Sequence, residues 1–309
     1  MRIARRGFLA AALAAPVMAR AAVHYAPHAD VVAEGVWMVR GVDAPIAYAN
    51  GGAIANSAFI ATSAGTVLVD PGPSRAYGAL LRGLARRVAG APVTRVYITH
   101  LHPDHAMGAA AFDPAIVHAL PATRTDLERD GRGFSDAMYR LLAEAMAGTE
   151  VVVPQGDVTD GTVVYGGRSL RLLALAGHSA GDLALLDART GTLIAGDLIF
   201  HDRAPATPHA DLAVWRASLD TLAALPHRLT IPGHGPVDTG DEGLRQTRDW
   251  LVWLAATLRD AVARGLDEAE AGELPIPERF AAIKVARYEF QRSVAHFYAR
   301  DEAEILPQK

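Results

Sequence analysis

Cysteine is absent from all 309 residues of the chain. A chain without thiols forms no disulfides, and it has neither a cysteine nucleophile nor a thiolate ligand for a metal ion. Catalytic or metal-binding chemistry must therefore come from other side chains. An oxidising compartment would not harm such a protein.

An excess of basic residues is also missing. The 30 lysines and arginines face 34 aspartates and glutamates, which gives a net charge of −4. Proteins that bind nucleic acid need a basic surface to contact its phosphates. We therefore expect a small-molecule substrate and no nucleic-acid partner.

An apolar run of membrane-spanning length is missing at the N-terminus. The 13 residues between Arg6 and Arg20 are fewer than the roughly 20 that cross a bilayer. Residues 1–22 instead resemble a twin-arginine export signal, with the pair Arg5-Arg6 and a small-x-small cleavage pattern at Ala19-Arg20-Ala21. Cleavage would remove four arginines and change the net charge from −4 to −8. The signal predicts a periplasmic protein without stable membrane anchoring after cleavage.

Apolar periodicity predicts an α/β chain, in which strands come first and then alternate with helices. Strand composition covers residues 31–40, 53–62, 66–70, 93–99, 170–176, 183–187 and 192–195. Helical spacing covers residues 74–88, 123–146 and 212–225, with Ser74 as the cap of the first helix. We expect one α/β domain over residues 23–240.

The pattern changes to helix alone after Gly240. Leucines at helical spacing continue to residue 258, Pro275 and Pro277 interrupt the chain, and helical spacing resumes over residues 282–305. Trp250 and Trp253 lie three residues apart and are expected to pack inside the protein. Residues 241–309 are therefore predicted to form a C-terminal helical extension.

Three histidines and an aspartate are concentrated in the segment THLHPDHAMG, residues 99–108. His100, His102, Asp104 and His105 form the pattern HxHxDH directly after an apolar strand. Imidazole nitrogens and carboxylate oxygens are ligands for borderline divalent ions such as zinc. Without a metal ion, burial of these groups would cost roughly a few kcal/mol each. We therefore favour a metal-binding segment over a solvated loop.

Further candidate ligands follow other predicted strands. His178 lies in AGHSAGDLAL, Asp197 in LIAGDLIF and His234 in IPGHGP, each after an apolar segment. Ligands gather at the C-terminal ends of strands in α/β sheets. We expect all of these side chains to meet at one sheet edge.

Together these motifs resemble the metallo-β-lactamase-fold hydrolases, over about residues 31–235. The resemblance implies an αββα sandwich, here with the C-terminal helical extension, and two Zn²⁺ ions, with iron or manganese as other candidates. The first ion would be held by His100, His102 and His178, the second by Asp104, His105 and His234, and Asp197 would bridge them. Asp70, in VLVDPG, would brace the histidine loop from outside the ligand set.

The resemblance also implies the reaction. Two divalent ions lower the pKa of a bridging water, so that hydroxide is present near neutral pH and can attack a substrate. Asp104 would be the catalytic residue that orients this hydroxide and shuttles its proton. The expected substrate is a small ester, thioester or lactone.

The chain differs from two subfamilies of zinc β-lactamases, and these differences narrow the choice of subfamily. Zinc β-lactamases either use a cysteine ligand, which this chain lacks, or generally lack the bridging aspartate that Asp197 supplies. The chain is most similar to the exported quinoprotein relay system zinc metallohydrolases, in the segments AIANSAFI, VDPGPSRAYG and MAGTE. That group implies a periplasmic quinoprotein dehydrogenase system as partner. A non-hydrolytic accessory or metal-binding protein of such a system is the alternative function.

Other polar residues carry weaker expectations. His201 and Arg203 follow the Asp197 strand and are candidate substrate contacts, although loop residues of this kind are more often only solvated. His209 lies later in the same loop and has no assigned role, and Asp211 is expected to cap the next helix. The histidines that match no motif are expected to be exposed or structural: His24, His28, His118, His227 and His296.

Overall fold

The structure, a computed structural model, describes residues 23–305. Residues 1–22, which carry the predicted export signal, and residues 306–309 lie outside the described residues. The strands are β1 (Ala29–Ala33), β2 (Val36–Val39), β3 (Ser57–Thr62), β4 (Gly65–Val69), β5 (Val93–Tyr97), β6 (Val117–Ala119), β7 (Gly156–Asp157), β8 (Gly161–Tyr165), β9 (Arg168–Leu175), β10 (Asp182–Asp187), β11 (Thr192–Phe200) and β12 (Leu229–His234). The helices are α1 (Arg75–Ala89), α2 (Pro103–Ala106), α3 (Pro121–Leu142), α4 (Leu212–Ala223), α5 (Glu242–Ala263), α6 (Glu268–Gly272) and α7 (Ala286–Ile305). Among residues 23–305, no helix has the length and apolar character needed to span a membrane.

The strands of the described residues form two sheets. The first sheet has the order β1-β2-β3-β4-β5-β6-β7, and the second has the order β12-β11-β10-β9-β8. Neighbours run antiparallel from β1 to β4 and parallel from β4 to β7. In the second sheet only the described pair β11–β12 is parallel. Loops that follow parallel neighbours emerge at the same edge of a sheet.

The two sheets pack face to face through one hydrophobic cluster. Ile60 of β3 and Val67 of β4 lie in this cluster together with Leu183 of β10. Their neighbours in sequence, Phe59 and Leu68, belong to a second cluster that also contains residues of α1. Successive strand residues point to opposite faces, so this alternation buries both faces of the sheet.

Helices cover the outer faces of the sandwich. Helix α1 contacts β3, β4 and β5, whereas α4 and α5 contact β11. Helices α1 and α4 begin at the predicted caps. Ser74 Oγ accepts the N–H of Tyr77, and Asp211 Oδ1 accepts the N–H groups of Ala213 and Val214. The predicted α/β sandwich is confirmed.

The C-terminal helices share a hydrophobic cluster with α4 and β11. Trp250 is fully buried, and its ring centroid lies 5.0 Å from that of Trp253. The Trp253 ring in turn lies 4.9 Å from that of Phe290 in α7. Both tryptophans are therefore packing residues, as expected. The domain division at residue 240 stays a prediction, since the helices after it join the core of the strands before it.

Strands β6, β7 and β8 were not predicted, and three predicted strands differ in their bounds. Residues 31–40 form parts of a hairpin, β1–β2, because Gly35 adopts a left-handed conformation (φ +67°) between the strands. Residues 53–56 lie in a turn before β3. Strand β11 continues past residue 195 to Phe200. The first of these differences divides one predicted strand in two, and the other two move the bounds of a strand.

A buried ion pair ties the second sheet to the first. Arg168 of β9 forms a bidentate pair with Asp187 of β10, with both N–H···O distances at 2.8 Å. The same guanidinium donates to the carbonyl oxygens of Ala61 at 3.2 Å and Glu34 at 3.0 Å, both in the first sheet or its turn. Arg168 and Asp187 are 4% and 0% exposed. Removal of one partner would leave an unpaired charge inside the protein.

Replacement of Asp187 by Ala should lower the free energy of unfolding by about 3–5 kcal/mol, because the buried Arg168 would lose its counter-charge. Chemical denaturation measures this difference. The control is Asp160→Ala, which breaks the solvent-exposed pair of Asp160 with Arg171 and should cost about 1 kcal/mol or less. Equal losses in the two variants would contradict a stabilising role for the buried pair.

Candidate metal centre

The histidine-rich segment turns inward directly after β5. His100 and His102 lie in the loop, and Pro103 begins the single-turn helix α2, which carries Asp104 and His105. Proline suits this first helical position because its φ is already fixed near the helical value. The four candidate ligands are buried, with exposed fractions of 8% or less. The segment therefore presents its polar side chains to the protein interior.

Three further candidate ligands come from the second sheet. His178 follows β9, Asp197 lies within β11, and His234 is the last residue of β12. The expectation that all ligands meet at one sheet edge is therefore wrong. In a sandwich, the ends of strands from both sheets open on one cleft, and the candidate ligands approach it from both sides.

Two glycines allow the second sheet to approach the histidine loop. Gly196 has a φ of +52°, and a Cβ added there would lie 2.8 Å from the Cβ of Thr99. A Cβ at Gly233 would lie 1.9 Å from Oδ1 of Asp197. The pairing of β11 with β12 is irregular on either side of Gly196. This distortion, with no side chain in the way, places Asp197 beside the histidines.

The first cluster of ligand atoms contains three imidazole nitrogens and one carboxylate oxygen. Nδ1 of His102 lies 2.9 Å from Nε2 of His100 and 2.8 Å from Nε2 of His178. Oδ2 of Asp197 lies 3.7 Å from Nε2 of His100 and 3.3 Å from Nε2 of His178. The four residues could hold one metal ion between them.

The second cluster contains Asp104, His105 and His234. The Nε2 atoms of the two histidines lie 3.4 Å apart, and Oδ2 of Asp104 lies 3.7 Å from the first and 3.4 Å from the second. Oδ1 of Asp197 lies 3.1 Å from Nε2 of His105 and 3.4 Å from Nε2 of His234. Asp197 therefore presents one carboxylate oxygen to each cluster.

The donor sets fit divalent ions such as zinc. Bonds of 2.0–2.1 Å in a tetrahedral site separate neighbouring ligand atoms by about 3.3 Å. The separations given above lie between 2.8 and 3.7 Å. Oδ1 of Asp197 is buried and has no hydrogen-bond partner within residues 23–305, which suits a metal ligand. Nitrogen and oxygen ligands are also compatible with iron or manganese.

Asp70 orients the histidine loop from outside the two clusters. Its Oδ2 lies 2.7 Å from Nδ1 of His105. Thr99 donates its backbone N–H to Oδ1 and its hydroxyl to Oδ2 of the same carboxylate, both at 2.8 Å. A carboxylate that accepts the Nδ1–H of a histidine leaves Nε2 free for a metal ion. The contact thus selects the His105 tautomer that presents Nε2 to the second cluster.

Asp182 orients the turn that carries His178 and was not predicted to have a role. Its Oδ2 accepts the backbone N–H groups of His178 at 2.9 Å and Ser179 at 3.0 Å, and its Oδ1 accepts the Ser179 hydroxyl at 2.6 Å. Burial raises the pKa of Asp182 to about 7 despite these hydrogen bonds. Ser179 thus helps to hold the turn that carries His178.

The electrostatics of the first cluster favour the protonation states that bind metal. Burial lowers the pKa values of His100, His102 and His178 well below 6.5, and neighbouring histidines add to this effect. Burial opposes charge on Asp197 as well, but His234 and His105 outweigh it and hold the pKa of Asp197 well below its usual range. Metal ions bind neutral imidazole and ionised carboxylate.

His105 differs from the other histidines because carboxylates surround it. Burial opposes its charge, but Asp197, Asp70 and Asp104 outweigh burial and raise the pKa of His105 well above 6.5. The three carboxylates therefore favour positive charge at this position. A divalent cation in the second cluster would meet the same electrostatic requirement.

A cavity of about 300 Å³ opens beside the candidate ligands. The ligands that line it are His102, Asp104, Asp197 and His234. Its apolar walls include Pro45, Ile46, Ile54, Phe134, Met138 and Leu141. Helix α7 contributes Tyr288, Glu289 and Arg292, so the C-terminal helices form part of the pocket. The cavity offers apolar contacts next to a polar end.

The two candidate substrate contacts lie in different environments. His201 is buried, its Nδ1 lies 3.1 Å from the carbonyl oxygen of Pro236, and it is not among the described residues that line the cavity. Arg203 does line the cavity, but it is only 2% exposed and donates to Oε1 of Glu289 at 3.4 Å. Contact of either residue with substrate stays a prediction.

His209 also lines the cavity, although the sequence assigned it no role. Its Nδ1 lies 2.8 Å from Nε2 of His102. Its ring packs edge-on against Phe134, with the ring centroids 5.6 Å apart. No motif marks this loop histidine, so only the three-dimensional arrangement reveals the contact.

Comparison with known proteins places the candidate ligands in a family context. Residues 50–234 match the sequence model of the metallo-beta-lactamase superfamily. The chain is 32% identical over 184 residues to metallo-beta-lactamase domain-containing protein 1 of Xenopus laevis. The matched region covers 55% of this chain and 66% of that protein. The chain is also 23% identical over 276 residues to a linear primary-alkylsulfatase of Pseudomonas sp. Here the matched region covers 75% of this chain and 52% of that protein. The matches thus span about two thirds and about half of these relatives.

Solved structures show the same fold. A metallo-beta-lactamase from Pontibacter korlensis is similar to the chain with a TM-score of 0.60 at 20% sequence identity, over 74% of this chain and 99% of that one. Similarity at this level of identity concerns the architecture alone. It agrees with the two packed sheets and outer helices described above.

Replacement of Asp197 by Ala should lower the metal content, because the substitution removes one carboxylate oxygen from each cluster. We expect zinc-reconstituted wild-type protein to hold about two ions per chain, and the variant about one or fewer. Elemental analysis after dialysis measures the content. Asp202→Ala, which changes an exposed carboxylate beyond the end of β11, is the control and should retain the wild-type content. Unchanged metal in Asp197→Ala would show that Asp197 does not bridge the clusters.

Proposed function

Because the chain belongs to the metallo-beta-lactamase superfamily, we propose that it hydrolyses a small ester, thioester or lactone that carries an apolar group. The family membership confirms the predicted enzyme class, a metal-dependent hydrolase. The observation that carries the proposed substrate class is the cavity, whose apolar walls lead to candidate metal ligands. In such a substrate, the apolar group would contact the apolar walls of the cavity and the reactive carbonyl would lie beside the candidate metal ligands.

The proposed catalytic centre contains two metal ions. Two divalent ions, when bound, would lower the pKa of water and polarise the carbonyl oxygen of the substrate. Asp197 would hold both clusters at a fixed separation, since each of its oxygens faces one of them. Asp104 lines the cavity and is 6% exposed, so its carboxylate can accept a proton during attack and deliver it to the leaving group.

The apolar walls would bind the part of the substrate that does not react. Ile54 lies near the candidate ligands, and Phe134 and Met138 of α3 line the same space. Each buried CH₂ group contributes about 0.8 kcal/mol to binding. We therefore expect affinity to increase with the length of the apolar group until the cavity of about 300 Å³ is filled.

A sulfate ester is the second candidate substrate. The linear primary-alkylsulfatase is a relative, and Arg203 and Arg292 line the cavity. Glu289 lies between these arginines, however, with its carboxylate oxygens 3.4 Å from Nη2 of Arg203 and 2.9 Å from Nη1 of Arg292. One carboxylate already offsets one of the two positive charges. This pairing favours a neutral carbonyl substrate over a sulfate.

Zinc-loaded wild-type protein should hydrolyse at least one class in a panel of thioesters, lactones and esters with apolar groups. The panel also includes a β-lactam, a phosphodiester and an alkyl sulfate, for which we expect little turnover. His102→Ala should abolish hydrolysis because it removes a ligand of the first cluster, while the apolar core keeps the fold. The rate of product formation measures turnover, and circular dichroism checks the fold of the variant.

Two results would overturn this proposal in different ways. Turnover of the alkyl sulfate alone would replace the carbonyl substrate by a sulfate ester. No turnover above His102→Ala across the whole panel would favour the alternative function, a non-hydrolytic accessory or metal-binding protein of a periplasmic quinoprotein dehydrogenase system.

We further propose that the protein acts in the periplasm, beside such a quinoprotein system. Support comes from the sequence of residues 1–22, which resembles a twin-arginine signal, and from the segments similar to the quinoprotein relay system group. A twin-arginine route suits a protein that folds and takes up metal before it crosses the membrane. The acidic charge of the chain supports the absence of a nucleic-acid partner.

Substitution of both Arg5 and Arg6 by Lys should leave an uncleaved precursor in the cytoplasm, because the export machinery recognises the arginine pair as a targeting signal. Cell fractionation with immunoblotting measures the location and the size of the product. Arg2→Lys, outside the pair, is the control and should be exported normally. Normal export of the double variant in a strain whose general secretory route is blocked would refute the twin-arginine assignment.

A further inference from the structure

His102 faces the first cluster with a different nitrogen from its two neighbours. His100 and His178 present Nε2, whereas His102 presents Nδ1, at 2.9 Å and 2.8 Å from those two atoms. The opposite nitrogen of His102, Nε2, therefore points away from the cluster. It lies 2.8 Å from Nδ1 of His209.

This arrangement fixes the protons on both rings when His102 binds a metal ion. A neutral imidazole that offers Nδ1 to a metal must carry its proton on Nε2. That N–H needs an acceptor, and Nδ1 of His209 occupies the acceptor position at hydrogen-bond distance. His209 then carries its own proton on Nε2.

We propose that His209 is a positioning residue of the metal centre, which holds His102 in the tautomer and orientation that present Nδ1 to the metal. Asp70 has the corresponding relation to His105 in the second cluster, at 2.7 Å. Such outer partners raise the affinity of a site because they fix the ring and its tautomer before metal binds. The assignment concerns metal binding and does not depend on the proposed substrate.

The loop that carries His209 is anchored on both sides of the residue. Asp211 donates its N–H to the carbonyl oxygen of Gly177 at 2.8 Å and caps α4 with its side chain. Thr207 donates its hydroxyl to Ser293 of α7 at 2.8 Å, and its carbonyl oxygen accepts the N–H of Ala210 at 3.0 Å. These contacts fix the backbone that places His209 opposite His102.

An aromatic contact adds to the orientation of both rings. The Phe134 ring centroid lies 6.1 Å from that of His102 and 5.6 Å from that of His209, and both contacts are edge-to-face. The two imidazole centroids are 5.0 Å apart. Phe134 therefore packs against both members of the hydrogen-bonded pair and limits rotation of either ring.

The test compares the zinc affinities of His209→Ala and His209→Asn with wild type, by competition with a chromophoric chelator. His209→Ala should weaken zinc binding by about 10–100-fold. His209→Asn should bind with near wild-type affinity, because Asn Oδ1 can occupy the position of the histidine Nδ1 and accept the same N–H. His28→Asn is the matched control, since the His28 side chain is 83% exposed and its ion-pair partner is Asp30.

Nitrogen-15 NMR of histidine-labelled protein gives a readout that a purely structural role would not change. In zinc-loaded wild type, one zinc-bound imidazole should show the Nε2–H tautomer with a slowly exchanging proton, and this resonance should be lost in His102→Ala. In His209→Ala the proton should exchange rapidly, and in His209→Asn it should stay protected.

Two outcomes would overturn the proposal. Zinc affinity and proton exchange of His209→Ala equal to wild type would show that the contact does not position His102. A folded His209→Asn variant as weak in zinc binding as His209→Ala would show that the acceptor is not what matters. If His209→Ala fails to fold, as judged by circular dichroism, His209→Asn is the test. Zinc affinity near that of wild type supports the proposal, and clearly weaker zinc binding overturns it.

Discussion

Charge balance in the cleft between the two sheets constrains the structure around it. Asp70, Asp104 and Asp197 are each no more than 6% exposed and lie around the ring of His105. Burial of an ionised carboxylate costs several kcal/mol unless a positive partner is close. Divalent cations in the two clusters would supply that partner. The same carboxylates raise the pKa of His105, which means that they stabilise a positive charge at this position. Asp70 is stabilised by its contacts with Thr99 and His105, whereas Asp104 and Asp197 lie where a cation can bind.

Precision at this cleft depends on parts of the protein that have no metal ligands. The sandwich core holds β4 and β5 of one sheet opposite β10 and β11 of the other. Asp70, Asp182 and His209 then set the orientation of individual candidate ligands through hydrogen bonds. A 1 Å displacement of a ligand would spoil the geometry of a metal ion, so apolar packing and outer hydrogen bonds act together. The fold is that of the family, and the contact of His209 with His102 lies within the stretch that matches it.

The sequence predicts the elements and the candidate ligands better than their spatial relations. His100, His102, Asp104 and His105 form a local pattern, and Asp211 and Ser74 lie directly before helical segments, so short-range chemistry identifies them. The hairpin at Gly35 and the extension of β11 to Phe200 depend on long-range pairing, which periodicity does not record. The contact of His209 with His102 spans 107 positions. No local pattern could predict it, and the same holds for the part of α7 that lines the cavity.

Helix α7 contributes to the cavity from outside the stretch that matches the family. The family match ends at residue 234, whereas Tyr288, Glu289 and Arg292 line the same space as the candidate metal ligands. The reactive end and one wall of the pocket are therefore encoded in separate stretches of the chain. Mutations in the last 70 or so residues can reshape the wall without altering a single metal ligand. Substitutions in α7 can thus change which substrates fit this protein while the candidate metal centre stays the same.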